Sequence, residues 1–341
     1  MQDQQQTDSN TGGFERQIER FQETYDAIAG QLAAVIVGHQ QATEEILTCM
    51  LAGGHALLEG VPGLGKTLLV RTIAEAVDLS FSRIQFTPDL MPADITGTNM
   101  VEADPAGTKA FRFEPGPIFA HLILADEINR ATPKTQSAVL EAMQEHTVSV
   151  ARTTHRLPEP FFVLATQNPL EMEGTYPLPE AQLDRFLLKV VVRSPDIDEL
   201  AAILGRTTGP AVPHARGVAD AKCVLEMQEV IRRVPAADAV THYVARIVRA
   251  THPDAELAPA SARKYVRYGS SPRGAQAILL AAKVRALRAG RANVAMEDVR
   301  AVAAPALRHR LILSFEGQAD GIVADDLIAE IIRSLPEPEQ I

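Results

Sequence analysis

Gly60-Val61-Pro62-Gly63-Leu64-Gly65-Lys66-Thr67 decides the reading of this chain, because it fits the phosphate-binding pattern G-x-x-x-x-G-K-[ST] without a substitution. In a chain of 341 residues, average residue usage gives that pattern by accident with an expectation of only about 0.01. Its flanks suit it. Ala56-Leu57-Leu58-Glu59 reads as a short buried strand and Leu68 to Val77 as a helix, the setting in which glycines let backbone N–H groups turn around phosphates at a positive helix end. Lys66 would neutralise the β- and γ-phosphates of ATP, and Thr67 would place its hydroxyl on Mg²⁺. The candidate nucleotide contacts are Gly60, Pro62, Gly63, Leu64, Gly65, Lys66, Thr67 and Leu68, with Val37 and Gly38 added from the break between the first two helices.

Working outward, four more apolar runs follow the loop: 81–86, 122–125, 161–165 and 187–192. With the first they make five strands alternating with helices, which implies right-handed crossovers and a parallel sheet covered on both faces. Before the loop, Ile18, Phe21, Tyr25 and Ile28 recur at helical steps, and a second helix runs from the 35–38 break to about Met50. Residues 1–12 are polar and are expected to form a disordered tail. Two insertions interrupt the alternation. One, between the second and third strands, has a turn at 103–107 that suggests a small hairpin; the other has arms 147–150 and 155–157. Past 195 the pattern changes to a linker over 196–220 and an all-helical remainder over 221–341, following a nucleotide-binding core over 13–195.

The net charge of −10 is unevenly spread: residues 1–220 sum to −13, 221–310 to +9 and 311–341 to −6. Solvated surface, a self-assembling ring and a nucleic-acid groove all fit that separation. No apolar run reaches the roughly 18 residues of a membrane span, and the N-terminus lacks the regions of a signal peptide, so the expected location is cytoplasmic. Cys49 and Cys223 are read as isolated thiols, with no metal knuckle or disulfide framework.

Leu122-Ile123-Leu124-Ala125-Asp126-Glu127 is an apolar strand ending in two carboxylates at the crevice end of a parallel sheet. There Asp126 can reach Mg²⁺ and Glu127 can polarise an attacking water. Asn168, after the strand 161–165, can orient that water or sense the γ-phosphate, and Asn168-Pro169 is equally an ordinary turn. Arg185, in Leu183-Asp184-Arg185-Phe186, is placed to reach transition-state charge, often supplied in trans. Arg273, in Ser270-Ser271-Pro272-Arg273-Gly274, can reach phosphate from the second domain or simply begin a helix in water.

These residues resemble an AAA+ ATPase. More closely, Ala125 to Ala131 with Pro133-Lys134 and Gln136, Leu140 to Met143, Ala165 to Pro169 and Leu178 to Phe186 resemble the MoxR family over roughly residues 14–335. The resemblance implies that residues 60–67 are Walker A, Asp126 and Glu127 Walker B, Asn168 sensor 1, Arg185 a trans arginine finger and Arg273 the sensor 2 arginine. It implies an α/β AAA+ P-loop core with a five-stranded parallel sheet, a helix-2 insert and a pre-sensor-1 hairpin shared with magnesium-chelatase and MCM-like relatives, then an all-α lid. It further implies a homo-oligomeric ring, expected to be a hexamer, and a chaperone-like role in maturing a client protein complex or inserting a cofactor or metal, often with a von Willebrand factor A domain protein. The alternatives are a nucleic-acid motor and a nucleotide-gated switch with negligible turnover. An acidic chain with no Trp and 5% aromatics disfavours the motor.

Overall fold

Burial alternates along the central strands in a way that only a two-faced buried sheet explains. Ala56, Leu58, Leu122, Leu124, Phe162 and Leu164 join one apolar cluster, while Leu57, Ile123, Val163 and Ala165 join another on the opposite face. The computed structural model describes residues 2–60, 63–103, 109–168, 174–208 and 213–336.

Two helices, α1 (Gln2–Val35) and α2 (Gln40–Leu51), lead into strand β1 (Ala56–Glu59), followed by α3 (Lys66–Ala76) and β2 (Phe81–Gln85). The first insertion holds α4 (Pro92–Thr96) and the antiparallel pair β3 (Gly97–Ala103) and β4 (Lys109–Pro115). Next come β5 (Leu122–Asp126), a 3₁₀ turn (Ile128–Arg130), α5 (Pro133–Glu145), the hairpin β6 (Thr147–Val150) and β7 (Thr153–Arg156), β8 (Phe162–Gln167), α6 (Glu180–Leu183) and β9 (Leu188–Val191). The five expected strands form one parallel sheet in the order β2-β5-β8-β1-β9, with β1 at Ala56 level with Leu164 of β8 and Leu188 of β9.

After α7 (Ile197–Thr207), which lies inside the span expected to be linker, come α8 (Ala221–Arg233), α9 (Asp238–Ala250), α10 (Ala260–Tyr265), β10 (Val266–Tyr268), α11 (Pro272–Arg288), α12 (Met296–Leu307), β11 (Ile312–Leu313), α13 (Phe315–Ala319) and α14 (Ala324–Ser334). This lid is helical, and its α11 and α12 pack on α1, α2 and β9, so the lid core is continuous with one face of the sheet.

Two expectations are corrected. The lid contains one short antiparallel ladder, β10 with β11, whose three- and two-residue strands are too short to leave a period in the sequence. The second hairpin's return arm begins at Thr153 instead of His155, because Ala151 and Arg152 turn the chain with φ of 46° and 72° and neither is the Gly or Asn that such a turn favours. The expected tail over residues 1–12 overlaps the first residues of α1, Gln2–Val35. The 103–107 turn falls largely outside the described residues.

Candidate active site

The phosphate loop joins the buried end of β1 to the first turn of α3. Gly63 and Gly65 have φ of 85° and 71°, and no atom lies within 4 Å of where a Cβ would stand on either. That open, left-handed backbone is cheap only for glycine and leaves a cradle for phosphate oxygens. Lys66 donates from Nζ to the Gly60 carbonyl at 2.8 Å. Burial pushes its pKa down, opposed by the charges of Asp126 and Glu127. Thr67 is half-buried beside it, Leu64 packs toward Gly60, and Leu68 is exposed. Pro62, expected to contact nucleotide, lies outside the described residues.

Across the sheet, β5 delivers Asp126 level with Gln85 of β2. Asp126 Oδ1 accepts the Thr166 hydroxyl at 2.7 Å, and Oδ2 accepts Arg83 at 2.6 Å. The same Thr166 oxygen accepts the Glu127 backbone N–H at 2.8 Å. Glu127 sits at φ 58°, ψ 50°, left-handed for a residue with a Cβ, and its Oε2 accepts Gln85 at 2.9 Å and Arg130 at 3.1 Å. Gln136, fully buried, donates to the carbonyls of Ile128, Ala131 and Tyr176 and so ties the turn after Glu127 to the body. Gln167 is level with Glu59, which puts buried Asn168 level with the first glycine of the loop.

A cavity of about 850 Å³ opens beside Glu59, walled by His39, Lys189, Arg193 and Glu199. Val37 and Gly38 lie on the turn beside it; Gly38 has φ 68°, and the Glu199 carboxylate fills the space next to its Cα. The volume suits a nucleoside reaching away from the phosphate loop. Among the described residues, no group of three or more His, Cys, Asp or Glu side chains stands ready to hold a metal. A Mg²⁺ ion would thus rest on Thr67, Asp126, phosphate and water, the donor set that this hard cation favours.

Arg185 and Arg273 do not join this constellation. They line a second cavity, about 200 Å³, with Gly54, Asp184, Leu187 and Arg310. Gly54 and Leu187 precede β1 and β9, whereas Gly60 and Val192 follow them, so the arginines stand at the N-terminal ends of the strands and the phosphate loop at the C-terminal ends. At the rise of an extended chain, Gly54 to Gly60 spans about 20 Å, beyond an arginine's reach. Arg185 donates to the Leu140 carbonyl at 2.7 Å.

Sequence reasoning missed Thr166, Arg83 and Gln85. Thr166 stood inside a quoted string, but its double hydrogen bond exists only because Glu127 turns left-handed; Arg83 and Gln85 show a period-two step toward the β5 carboxylates that an apolar-run reading passes over.

Residues 55–188 match the ATPase family associated with various cellular activities (AAA), and residues 259–331 the AAA lid domain. The chaperone MoxR1 of Mycobacterium tuberculosis is 43% identical over 91% of this chain and 81% of its own length. YeaC of Bacillus subtilis, uncharacterised, is 42% identical over 90% and 92%. The protein MoxR of Paracoccus denitrificans is 31% identical over 94% and 96%. A crystal structure from Cytophaga hutchinsonii, of a candidate ATPase, superposes with a TM-score of 0.90 at 38% identity, covering 97% of this chain and 99% of that one. A nucleotide-binding core, a helical lid and relatives of this closeness together establish that the chain belongs to the MoxR family of AAA+ ATPases.

Proposed function

We propose that this protein is a Mg²⁺-ATP-driven, chaperone-like remodeler in which each hydrolytic site is completed by the next subunit of a ring, expected to be a hexamer. The carrying observation is the separation of Arg185 and Arg273 from Lys66, Asp126 and Glu127 at opposite ends of one sheet. Two ends that cannot meet within a subunit can meet between subunits repeated head to tail.

In the bound site Lys66 exchanges the Gly60 carbonyl for the β- and γ-phosphate oxygens. Thr67 and Asp126 would hold a Mg²⁺ ion, which would supply neutralisation of phosphate charge. Glu127 leaves Gln85 and Arg130 to accept a proton from the attacking water, as the water oxygen bonds to the γ-phosphorus and the bond to the bridging oxygen breaks, yielding ADP and phosphate. Asn168 orients that water, and the neighbour's Arg185 and Arg273 stabilise the charge on the transferring group.

Protein is the favoured client. Met100, Val101 and Phe111 stand exposed on the β3–β4 hairpin, a protruding apolar surface suited to polypeptide. Part of the lid's basic charge is met by acids within the chain: Arg288 pairs with Glu44, Arg291 with Asp298, Arg308 with Asp325 and Arg310 with Asp184. The proposed setting is cytoplasmic maturation of a protein complex, including cofactor or metal insertion, with a von Willebrand factor A domain partner. Among the described residues no helix is long and apolar enough to cross a membrane.

The test is ATP turnover per subunit against protein concentration, with assembly mass followed in the same samples. Turnover that rises with ring formation, and is abolished with ATP retained in Glu127→Gln, is expected. Flat turnover from a monomer, or normal turnover by Arg185→Ala at every concentration, overturns the shared-site mechanism.

A further inference from the structure

Asp184 immediately precedes Arg185, and its carboxylate is the hub of a network joining core to lid. Oδ1 accepts Arg310 Nε at 2.8 Å and the Ser271 hydroxyl at 3.0 Å, and Oδ2 accepts the same hydroxyl at 2.8 Å. Ser271 is the N-cap of α11, the helix that carries Arg273, and its oxygen accepts the Arg273 backbone N–H at 3.1 Å. Arg310, 7% exposed, also donates to the carbonyls of Asp184, Phe186, Leu187 and Ala306. Thus Arg185 is one residue from the Asp184 hub, and the Arg273 backbone, on the other domain, is joined to it by two hydrogen bonds through Ser271.

The chemistry at residue 271 is more demanding than capping alone. Asp, Asn and Ser cap helices about equally well. Here the capping atom must also donate, because the group facing it is a carboxylate. A hydroxyl can accept from Arg273 N–H and donate to Asp184 at once; a second carboxylate would cap but repel.

We infer that Ser271 and Asp184 are positioning residues, fixed by Arg310, that set how Arg185 and Arg273 stand together for the neighbouring site. The inference rests on the shared-site reading above. The pair preorganises two cations that must arrive as a unit, so its loss lowers kcat and leaves nucleotide affinity and assembly intact.

The experiment compares Ser271→Ala, Ser271→Asp and Ser271→Thr in the full chain, with Asp220→Ala, which removes the cap of the remote helix α8, as the control for capping loss. Turnover, KM for ATP, ring mass and melting temperature are read on each, beside Arg185→Ala and Arg273→Ala. Ser271→Ala and Ser271→Asp are expected to lose about 10- to 100-fold in kcat, the range that a small misplacement of a catalytic group produces, at unchanged KM and ring mass. Ser271→Thr should retain wild-type kcat, and Asp220→Ala should lose melting temperature only. If Ser271→Ala matches Asp220→Ala in kcat while Arg185→Ala is inactive, the positioning role is wrong and the shared site stands. If Arg185→Ala and Arg273→Ala both turn over normally at every concentration, the shared site is wrong and the positioning role falls with it.

Discussion

Replacing Thr166 by Val isolates one oxygen atom on which two acidic residues depend. The substitution keeps the branched shape of a fully buried side chain and removes a hydroxyl that donates to Asp126 at 2.7 Å and accepts Glu127 N–H at 2.8 Å. Loss of a bond to a charged acceptor removes roughly 1.5–3 kcal/mol, and an N–H left without its partner costs about 1–3 kcal/mol where water cannot replace it. Allowing Asp126 to keep Arg83 and the Glu127 N–H to find some water, a net loss of about 3 kcal/mol is expected. In a chain of 341 residues that lowers the melting temperature by roughly 4 °C. Activity should fall further than stability suggests. The left-handed backbone of Glu127 is strained by about 1–2 kcal/mol, and without Thr166 that peptide can relax and carry the carboxylate away from the position proposed for the attacking water. A displacement near 1 Å is worth about 100-fold in rate. Thermal melts and steady-state turnover of Thr166→Val and Thr166→Ser, the second retaining the hydroxyl, test this. If Thr166→Val melts within a degree or so of wild type and turns over ATP at a comparable rate, the oxygen does not hold the pair.

Burial lowers the His55 pKa from 6.5 to about 4, with Nδ1 accepting Val163 N–H and Nε2 donating to the Met143 carbonyl, so the neutral ring is the folded form. The unfolded chain therefore takes up the proton first: stability is complete above pH 6.5 and is lost as pH falls toward 4, by about 3 kcal/mol. Denaturant midpoints across that window should show a weaker slope in His55→Gln, with a remainder from His309, whose pKa burial also lowers; an identical slope would refute the assignment. Gly65→Ala should destabilise by about 1–2 kcal/mol through φ strain alone, because the space beside it is open, and should weaken ATP binding in calorimetry; unchanged melting and affinity would contradict the cradle. Native protein should react with a thiol reagent at Cys223 and spare fully buried Cys49, whose thiol pKa burial raises; two fast-reacting thiols before unfolding would be inconsistent with that packing.

The central strands β1, β5 and β8 were legible because they are short apolar runs buried on both faces, so hydropathy alone marks them, whereas the edge strands β2 and β9 mix in polar residues. Lys66, Asp126 and Glu127 stand at the strand and helix ends where the sequence pattern puts them. The return arm at Thr153 and the β10–β11 ladder were not legible, since they depend on unfavoured turn residues and on pairing between distant segments. Nor was the Asp184–Ser271–Arg310 joint, whose members are 87 and 126 residues from the aspartate in sequence and show no local period. That Arg185 and Arg273 share a cavity remote from their own phosphate loop follows from strand direction and lid packing together, neither of which composition encodes.

The opposed ends of the sheet also govern how defective and intact copies would behave when mixed. In a head-to-tail ring each subunit would be a donor of arginines on one side and an acceptor of nucleotide on the other, so a lesion at either end would silence one site. A subunit damaged at both ends, by Lys66→Ala with Arg185→Ala, would silence its own site and its neighbour's. With random mixing, activity would then fall in proportion to the intact fraction for single lesions and as its square for the double, which makes the doubly damaged copy a dominant poison of the assembly.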